Sequence, residues 1–313
     1  MKEKKENIFV RFLKYLFPWR GDSAREVVRK IVFLISVAAL IVSGTYFGIR
    51  FAHRNDYNKL PDISSEVDWD DEEKKDDGTF GKYDKLLATN PDFCGWLKID
   101  STPVDVPLVQ TKDNEKYLKT SFYGEYSEYG NPFVDFRNKL DKDDRNIVIY
   151  GHNMKDDMVF ARLLEYKNLS FYKEHPVIYL GTLYDDSYWK IVSVFITNAG
   201  KAQDNGYFFE YNFINCGSEN FEQYAEELKK RSLIDTGVDI NSSDRLLTLS
   251  TCQYDIEDGR FVVVARKLRS GESAKTDTSA AKLNPNPKFP QAYCAAKGIK
   301  NIYAEDKKWQ PYD

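Results

Sequence analysis

The sequence predicts a mainly β domain, a closed or nearly closed barrel, preceded by a hydrophobic N-terminal helix. Three observations support this prediction: six short β-rich runs between residues 104 and 268, few segments with helical periodicity, and one uncharged 19-residue run near the N-terminus. The chain can bury a core, because 42% of its 313 residues are hydrophobic and 30% are charged. A net charge of −4 argues against a nucleic-acid-binding protein, so no nucleic acid is expected as a partner.

The uncharged run, residues 31–49, is long enough to cross a membrane. As a helix it would span roughly 28 Å, close to the hydrocarbon thickness of a bilayer. Residues 1–30 hold nine Lys/Arg and four Asp/Glu, which predicts a cytoplasmic basic segment followed by a single-pass signal anchor in the cell membrane. The alternatives are a cleaved signal peptide, which usually has a shorter basic leader, and a buried core helix. Residues 8–19 predict an amphipathic helix along the inner membrane face or a poorly ordered tail.

Composition divides the part of the chain that follows the anchor into three segments. Residues 50–79 are rich in Asp and Glu, as in DWDDEEKKDD, and are interpreted as an acidic extracellular stalk that buries little surface. Residues 80–269 are interpreted as one folded domain. Residues 270–313 form a C-terminal tail whose role the sequence leaves open: residues 270–290, rich in Ser, Ala, Lys and Pro, are interpreted as linker-like, and the stretch after them has enough aromatic residues to dock on a folded surface.

The folded domain is predicted to contain six strands and three helices. Strands are expected at residues 104–109, 147–150, 177–180, 189–197, 246–250 and 261–268. Helices are expected at residues 80–89, 157–166 and 218–231. The third has the clearest pattern, because Phe221, Tyr224, Ala225 and Leu228 fall on one face.

A cysteine at the end of an apolar strand is the first candidate for chemistry. Cys252 closes the run LLTLSTC, and the next strand opens at Arg260. If the two strands pair antiparallel, the thiol and the guanidinium lie about 5 Å apart at one end of the ladder. A free thiol is only about 3% thiolate at pH 7, and a cation raises that fraction or stabilises an oxyanion. The alternative is a buried structural cysteine beside a solvent-facing arginine.

Of the three histidines, His152 has the position best suited to acid–base catalysis. It follows the apolar strand NIVIY and a glycine, so its ring can project into a cleft beyond the strand end. A structural role is the alternative for His152. His53 is interpreted as a solvated residue near the membrane exit, and His175 as a turn residue before Pro176.

These motifs taken together resemble the sortase family, the membrane-anchored cysteine transpeptidases of Gram-positive cell surfaces. The TLxTC signature of that family is matched by TLSTC at residues 248–252, with Arg260 eight residues later. Residues 80–268 resemble its class B branch, in the stretches NPDFCGWLKI, VPLVQTKDNEKYL, FVDFRN and IVIYGHNM and in the helix at 218–231. The resemblance implies a single eight-stranded β-barrel with peripheral helices.

The resemblance also implies a reaction. Cys252 would be the nucleophile, His152 the general acid and base, and Arg260 the stabiliser of the oxyanion and the substrate. The enzyme would cleave a C-terminal sorting signal of secreted proteins at a Thr–X bond through a thioester. It would then transfer the protein to an amine of a peptidoglycan precursor. The residues expected to line the groove for the signal are Asn114, Leu118, Tyr150, Tyr207, Phe208, Phe209 and Ser250.

Three other functions were weighed against wall anchoring. A pilin-polymerising sortase would use a Lys acceptor, but the Asp-Pro-aromatic lid usual in such enzymes is missing, since Val67-Asp68-Trp69 lacks the proline. A papain-like wall peptidase would place its cysteine before its histidine. An inactive binding module would not need all three catalytic residue types. No phosphate loop, zinc-spaced cluster or calcium loop occurs, so no cofactor and no essential metal are expected.

Overall fold

The computed structural model describes residues 7–311, in two units. The first unit extends to Asp56 and the second begins at Tyr57. The first six residues of the predicted cytoplasmic segment, and the last two of the predicted tail, lie outside the described residues. Each unit is described separately.

The first unit is helical. Helix α1 (Ile8–Leu16) begins where the Asn7 side chain accepts a hydrogen bond from the Phe9 amide. Helix α2 (Ala24–Asn58) contains the uncharged run and begins with a capping box, in which Ser23 and Glu26 bond each other's backbone amides. Helix α2 is long and apolar enough to cross a membrane.

The second unit is built on a closed eight-stranded barrel, as the resemblance implied. Its strands follow one another around the barrel in the order β1-β2-β3-β4-β8-β9-β6-β5, and β5 pairs with β1 to close it. The strands are β1 (Phe93–Lys98), β2 (Asp105–Val109), β3 (Phe133–Val134), β4 (Asn146–Tyr150), β5 (Val177–Thr182), β6 (Asp186–Asn198), β8 (Leu246–Cys252) and β9 (Gly259–Lys267). All neighbouring pairs are antiparallel except β2–β3 and β4–β8.

Shorter elements surround the barrel. A small sheet pairs β7 (Ile234–Asp235) with β10 (Lys282–Leu283). The remaining helices are α3 (Asp84–Thr89), α4 (Leu169–Glu174), α5 (Ser218–Arg231) and α6 (Gln291–Lys297). Helix α5 has the predicted bounds and buries its predicted apolar face. The main hydrophobic core includes the inward side chains of the barrel strands. The buried face of α5 forms a second core with the outward side chains of β6, β8 and β9. Each large apolar side chain buried there contributes about 1.5–3 kcal/mol to the stability of the fold.

The sequence prediction missed the barrel strands β1 and β3 and the short strands β7 and β10, and it misplaced one helix. No helix covers residues 157–166; a 3₁₀ helix begins only at Ala161. Asp157 and Val159 have positive φ angles of 63° and 59°, which an α-helix cannot contain. Met158, Val159 and Phe160 are nevertheless buried, so the apolar run reflects core packing instead of helical periodicity.

The part of the predicted stalk that belongs to the second unit, residues 57–79, packs against the barrel. Leu60 and Val67 are buried, and the Trp69 ring makes edge contacts with Trp96 and Tyr179 at centroid distances of 5.7 and 6.1 Å. The acidic residues that dominate the composition of this segment lie mostly on its exposed side. The few apolar residues therefore bury more surface than the average composition indicated.

Candidate active site

Strand β8 lies between β4 and β9, and its last residues form the centre of the candidate site. The antiparallel register with β9 pairs Cys252 with Arg260, as predicted from the sequence. The parallel register with β4 pairs Ser250 with Tyr150. Directly opposite residues project on the same face of a sheet, so the Cys252 and Arg260 side chains share one face. Both side chains are half-buried, which leaves them accessible from solvent.

Hydrogen bonds hold the chain beyond β4 alongside the end of β8. The Gly151 amide donates to the Ser250 carbonyl at 3.2 Å, and the Thr251 hydroxyl donates to the Gly151 carbonyl at 2.7 Å. The Asn153 side-chain amide donates to the Cys252 carbonyl at 2.8 Å. His152 lies between these contacts and is therefore level with Cys252, although a hundred residues separate them in the chain.

One nitrogen of the His152 ring is occupied by a backbone contact. Its Nε2 atom lies 2.7 Å from the Leu118 carbonyl oxygen. A carbonyl can only accept, so Nε2 carries the hydrogen of this bond. In the neutral ring the other nitrogen, Nδ1, is then an acceptor. This contact fixes both the tautomer and the orientation of the imidazole.

Cys252 and Arg260 both influence the ionisation of two tyrosines, Tyr211 and Tyr254. Burial raises the pKa of both Tyr211 and Tyr254. Cys252 raises the pKa of each hydroxyl further, whereas Arg260 lowers it. The thiol and the guanidinium therefore lie within electrostatic range of the same two hydroxyls.

The other three cysteines are poorly suited to be nucleophiles. All four thiols are free. Burial raises the pKa of Cys94 strongly, that of Cys216 to about 11, and that of Cys294 in the same direction. A thiol with a raised pKa has little thiolate at neutral pH, so these positions carry little reactivity.

Three of the predicted groove residues lie close to His152 and the end of β4. Asn114 and Tyr150 both donate to one carboxylate oxygen of the buried Asp135, at 3.2 and 3.0 Å. Leu118, whose carbonyl bonds the histidine, is 39% exposed, so its side chain is free for a ligand contact. These hydrogen bonds connect the three positions to His152 and to the end of β4.

The structure places the other predicted groove residues differently. Tyr207 and Phe209 are buried in the second core, where Phe209 stacks on Tyr224, and they have no open surface to offer a peptide. Ser250 is also buried, with its hydroxyl 2.9 Å from that of Tyr211. Of this group only Phe208 is partly exposed. A resemblance in sequence does not show on which side of the loop each ring lies.

Two positioning residues were not identified from the sequence. Asn153 donates to the Cys252 carbonyl, and its own carbonyl accepts from the Tyr254 hydroxyl at 3.0 Å. Asp135 collects the hydrogen bonds of Asn114 and Tyr150. Asp135 directly follows β3, in FVDFRN, and Asn153 lies three residues after β4, in YGHN; polar residues just beyond strand ends were the available signal. Among residues 7–311, no three His, Cys, Asp or Glu side chains are grouped to hold a metal.

Comparisons with known proteins give a consistent result. The Sortase domain family matches residues 97–268. Sortase B of Staphylococcus aureus is 32% identical over 190 residues, which are 60% of this chain and 75% of the relative. Sortase B of Listeria monocytogenes is 35% identical over 180 residues, or 57% and 70% of the two chains. A structure of Staphylococcus aureus sortase B in a complex with substrate superimposes with a TM-score of 0.59 at 29% identity, covering 70% of this chain and 97% of that one.

Proposed function

This chain belongs to the sortase family, as a class B transpeptidase of the cell wall, and on that premise we propose that it joins secreted proteins to a peptidoglycan precursor. The substrate would carry a C-terminal sorting signal that is cleaved at a Thr–X bond. The observation that carries the proposal is the register of β8 with both of its neighbours, because it sets a thiol, an imidazole and a guanidinium at one strand end.

In the first half-reaction the Cys252 thiolate attacks the carbonyl carbon of the signal's threonine. A C–S bond forms, and the negative charge moves to the carbonyl oxygen, where the Arg260 fork stabilises it. The protonated His152 gives its proton to the departing amine as the C–N bond breaks. The products are a thioester on the enzyme and the free C-terminal fragment of the signal.

The second half-reaction returns the enzyme to its starting state. An amine of the peptidoglycan precursor attacks the thioester carbon, and His152 accepts the proton that the amine loses. The new C–N bond forms as the C–S bond breaks, which releases the Cys252 thiolate. Since Nε2 donates to the Leu118 carbonyl, both proton transfers would use Nδ1.

The groove for the signal would lie beside the β4 end. Asn114, Leu118 and Tyr150 are proposed to contact the peptide directly, together with the partly exposed Phe208. The buried residues among the predicted set would not contact the peptide. They would support the residues that line the groove; they are Tyr207, Phe209 and Ser250. The peptide and Asp135 would then compete for the hydrogen bond that the Asn114 side chain donates.

Helix α2 is proposed to be a membrane anchor with the basic N-terminus in the cytoplasm and the barrel outside. The stalk of residues 50–79 would then belong to the extracellular part together with the barrel. Anchoring keeps the enzyme, an exported substrate and a lipid-linked precursor at one surface. Confinement of this kind raises the effective concentration of the reactants without any new contact.

The test uses the full chain in a mild detergent and a library of sorting-signal pentapeptides, with cleavage sites read by mass spectrometry. Cys252→Ala is expected to abolish cleavage, while Cys216→Ala, the matched control on another thiol, keeps it. Arg260→Lys is expected to lose most activity, because lysine lacks the planar fork. Wild-type cleavage by Cys252→Ala would end the proposal. A peptidoglycan-type amine and a lysine-bearing pilin peptide, offered in parallel, distinguish wall anchoring from pilin polymerisation.

A further inference from the structure

The segment after the family match packs on the barrel instead of forming a free tail. We name residues 270–311 the C-terminal arm; the match to the Sortase domain ends before it, at residue 268. The arm pairs β10 with β7 and then forms α6. It has no place in the reaction described above, yet its contacts lead to the loops around the thiol.

The far end of the arm is anchored by a tryptophan. Trp309 is only 3% exposed and lies in the second core, 4.8 Å from the Tyr224 ring and 5.7 Å from the Phe209 ring. Its indole nitrogen donates to the Asn220 carbonyl at 2.8 Å, and its carbonyl accepts from the Tyr207 hydroxyl at 3.0 Å. Burial of so large a ring with its polar atoms paired fixes the arm in place.

A buried ion pair anchors the middle of the arm, just before α6. The Lys288 ammonium lies 2.9 Å from a carboxylate oxygen of Glu227 on α5, and both side chains are less than a tenth exposed. Helix α6 follows directly after this pair. It is therefore held between two anchors on α5 and the second core.

Helix α6 bridges two loops. At its start the Gln291 amide donates to the Asp204 carboxylate at 2.9 Å, in the loop between β6 and α5. At its end the Lys297 ammonium donates to the Asp255 carboxylate at 2.9 Å, in the loop between β8 and β9. The bond from Lys297 is the main reason why the pKa of Asp255 lies below its usual value. Cys294 faces inward between these two ends and is buried.

The β8–β9 loop reached by Lys297 is the segment that joins Cys252 to Arg260. Within it, the Asp255 amide donates to the Gln253 side chain at 3.0 Å, and the Gln253 amide group in turn bonds the Asp255 carboxylate. Displacement of Asp255 is thus transmitted to the residue that follows the nucleophile.

The same loop contacts both neighbouring walls of the site. Its Tyr254 hydroxyl donates to the carbonyl of Asn153, next to the histidine, and its Asp258 carbonyl accepts from Ala199 at the start of the β6–α5 loop. A shift of the loop would therefore reach the segments on its two sides, while the β8–β9 ladder still holds Cys252 and Arg260.

We propose that α6 is a brace that sets the position of the β8–β9 loop, and that Lys297 is a positioning residue for peptide binding. This inference rests on the proposed function, since the groove it shapes is that of the sorting signal. The loop carries none of the three reacting groups, so loosening it should weaken peptide binding more than the chemical steps. Lys297–Asp255 is a surface ion pair, and the loss of such a pair should change an equilibrium such as peptide binding by no more than about fivefold.

The experiment compares four single variants and the double variant Lys297→Met/Asp255→Asn, all of the full chain in detergent. Lys297→Met and Asp255→Asn each remove one partner, Lys297→Arg keeps the charge, and Lys300→Met is the matched control on an exposed lysine of the same arm. Peptide cleavage gives kcat and KM, and hydrogen exchange reports the β8–β9 loop. We expect Lys297→Met to raise KM about two- to fivefold with kcat within twofold. Lys297→Arg should restore KM, and the double variant should add nothing to Lys297→Met.

Hydrogen exchange separates failure of the brace from failure of the proposed function. A chain that cleaves no peptide would end the function, while faster exchange at residues 253–258 in Lys297→Met alone would still support the brace. Trp309→Ala, which removes the anchor at the far end of the arm, should accelerate exchange in both bridged loops. Exchange and KM in Lys297→Met that match those of Lys300→Met would overturn the inference, whatever Trp309→Ala does.

Discussion

Asp135 lies fully buried at the β3–β4 turn and is the residue whose loss should affect the groove most. One carboxylate oxygen accepts from the Arg137 backbone amide and Nε, both at 2.9 Å. The other accepts from Arg137 Nη2 at 2.8 Å, and from Tyr150 and Asn114 at 3.0 and 3.2 Å. Asp135→Asn preserves the shape and replaces one accepting oxygen with an amino group that cannot accept.

The magnitude follows from the burial of the two partners. Breaking a fully buried ion pair costs about 3–5 kcal/mol. The Arg137 side chain is 36% exposed, so water satisfies part of the guanidinium in the variant. We therefore expect Asp135→Asn to lower the free energy of unfolding by about 2–3 kcal/mol at pH 7. The released Asn114 and Tyr150 should also raise KM for the sorting peptide.

The same carboxylate predicts how the effect depends on pH. Burial alone would raise the pKa of Asp135, but the hydrogen bonds from Arg137 outweigh it, and the pKa lies below its usual value. A carboxylate with a lowered pKa in the folded state contributes stability that is complete above its unfolded pKa of about 4. That contribution is lost as the pH falls through the folded pKa. The difference between wild type and Asp135→Asn should therefore shrink below pH 4.

Urea unfolding followed by tryptophan fluorescence measures both effects. The free energy of unfolding falls by about 3 kcal/mol per M of urea, so the urea midpoint of Asp135→Asn should fall by about 0.7–1 M at pH 7 and by less at pH 3. Asp141→Asn, on an exposed carboxylate nearby in the chain, should leave the midpoint unchanged. A midpoint shift of Asp135→Asn equal to that of Asp141→Asn, or one independent of pH, would refute the reasoning.

Further predictions concern the backbone around the thiol and the expected absence of a metal. A Cβ added at Gly259 would lie 2.4 Å from the Gln253 carbonyl oxygen, so Gly259→Ala should cut kcat/KM more than tenfold, whereas Gly217→Ala, with no atom within 4 Å, should not. Thr251→Val removes the hydroxyl that donates to the Gly151 carbonyl. Because the proposed catalytic His152 directly follows Gly151, loss of this bond should loosen the position of the ring and lower kcat. Activity should survive chelation by EDTA. Wild-type kinetics in Gly259→Ala or Thr251→Val, or loss of activity on chelation, would contradict the corresponding step.

The sequence predicted those elements whose patterns arise from local contacts. The bounds of α5 are as predicted because its apolar residues repeat with the helical period and pack on one surface. Strand β1 escaped prediction because it contains Gly95, a residue that weakens a strand pattern. The structure shows why glycine stands there: a Cβ at Gly95 would lie 2.3 Å from the Gly181 carbonyl oxygen on β5. A contact between distant strands leaves no periodic trace in either one.

For a related reason, average composition gives an incomplete account of how the stalk and the arm pack. Both segments have compositions typical of solvated chain, and in each a few apolar residues do the packing. Trp69 contacts Trp96 and Tyr179, and Trp309 fills the second core. An average over thirty or forty residues hides one tryptophan, although burying one large ring removes 150–250 Å² from solvent.

The proposed catalytic residues and the proposed peptide groove are held in place by different contacts. Cys252 and Arg260 are fixed by the ladder between β8 and β9, and His152 by hydrogen bonds that continue the β4–β8 pairing. A slip of one residue in either register would turn a side chain to the opposite face, so the buried barrel core specifies the site. The walls of the proposed groove lie mainly on loops outside the barrel ladders: Asp135 secures the side at Asn114 and Tyr150, and the exposed Lys297–Asp255 pair secures the β8–β9 loop. Substitutions in the barrel should therefore act on kcat, and those in the walls on KM, so that peptide selectivity can change while the chemistry is preserved.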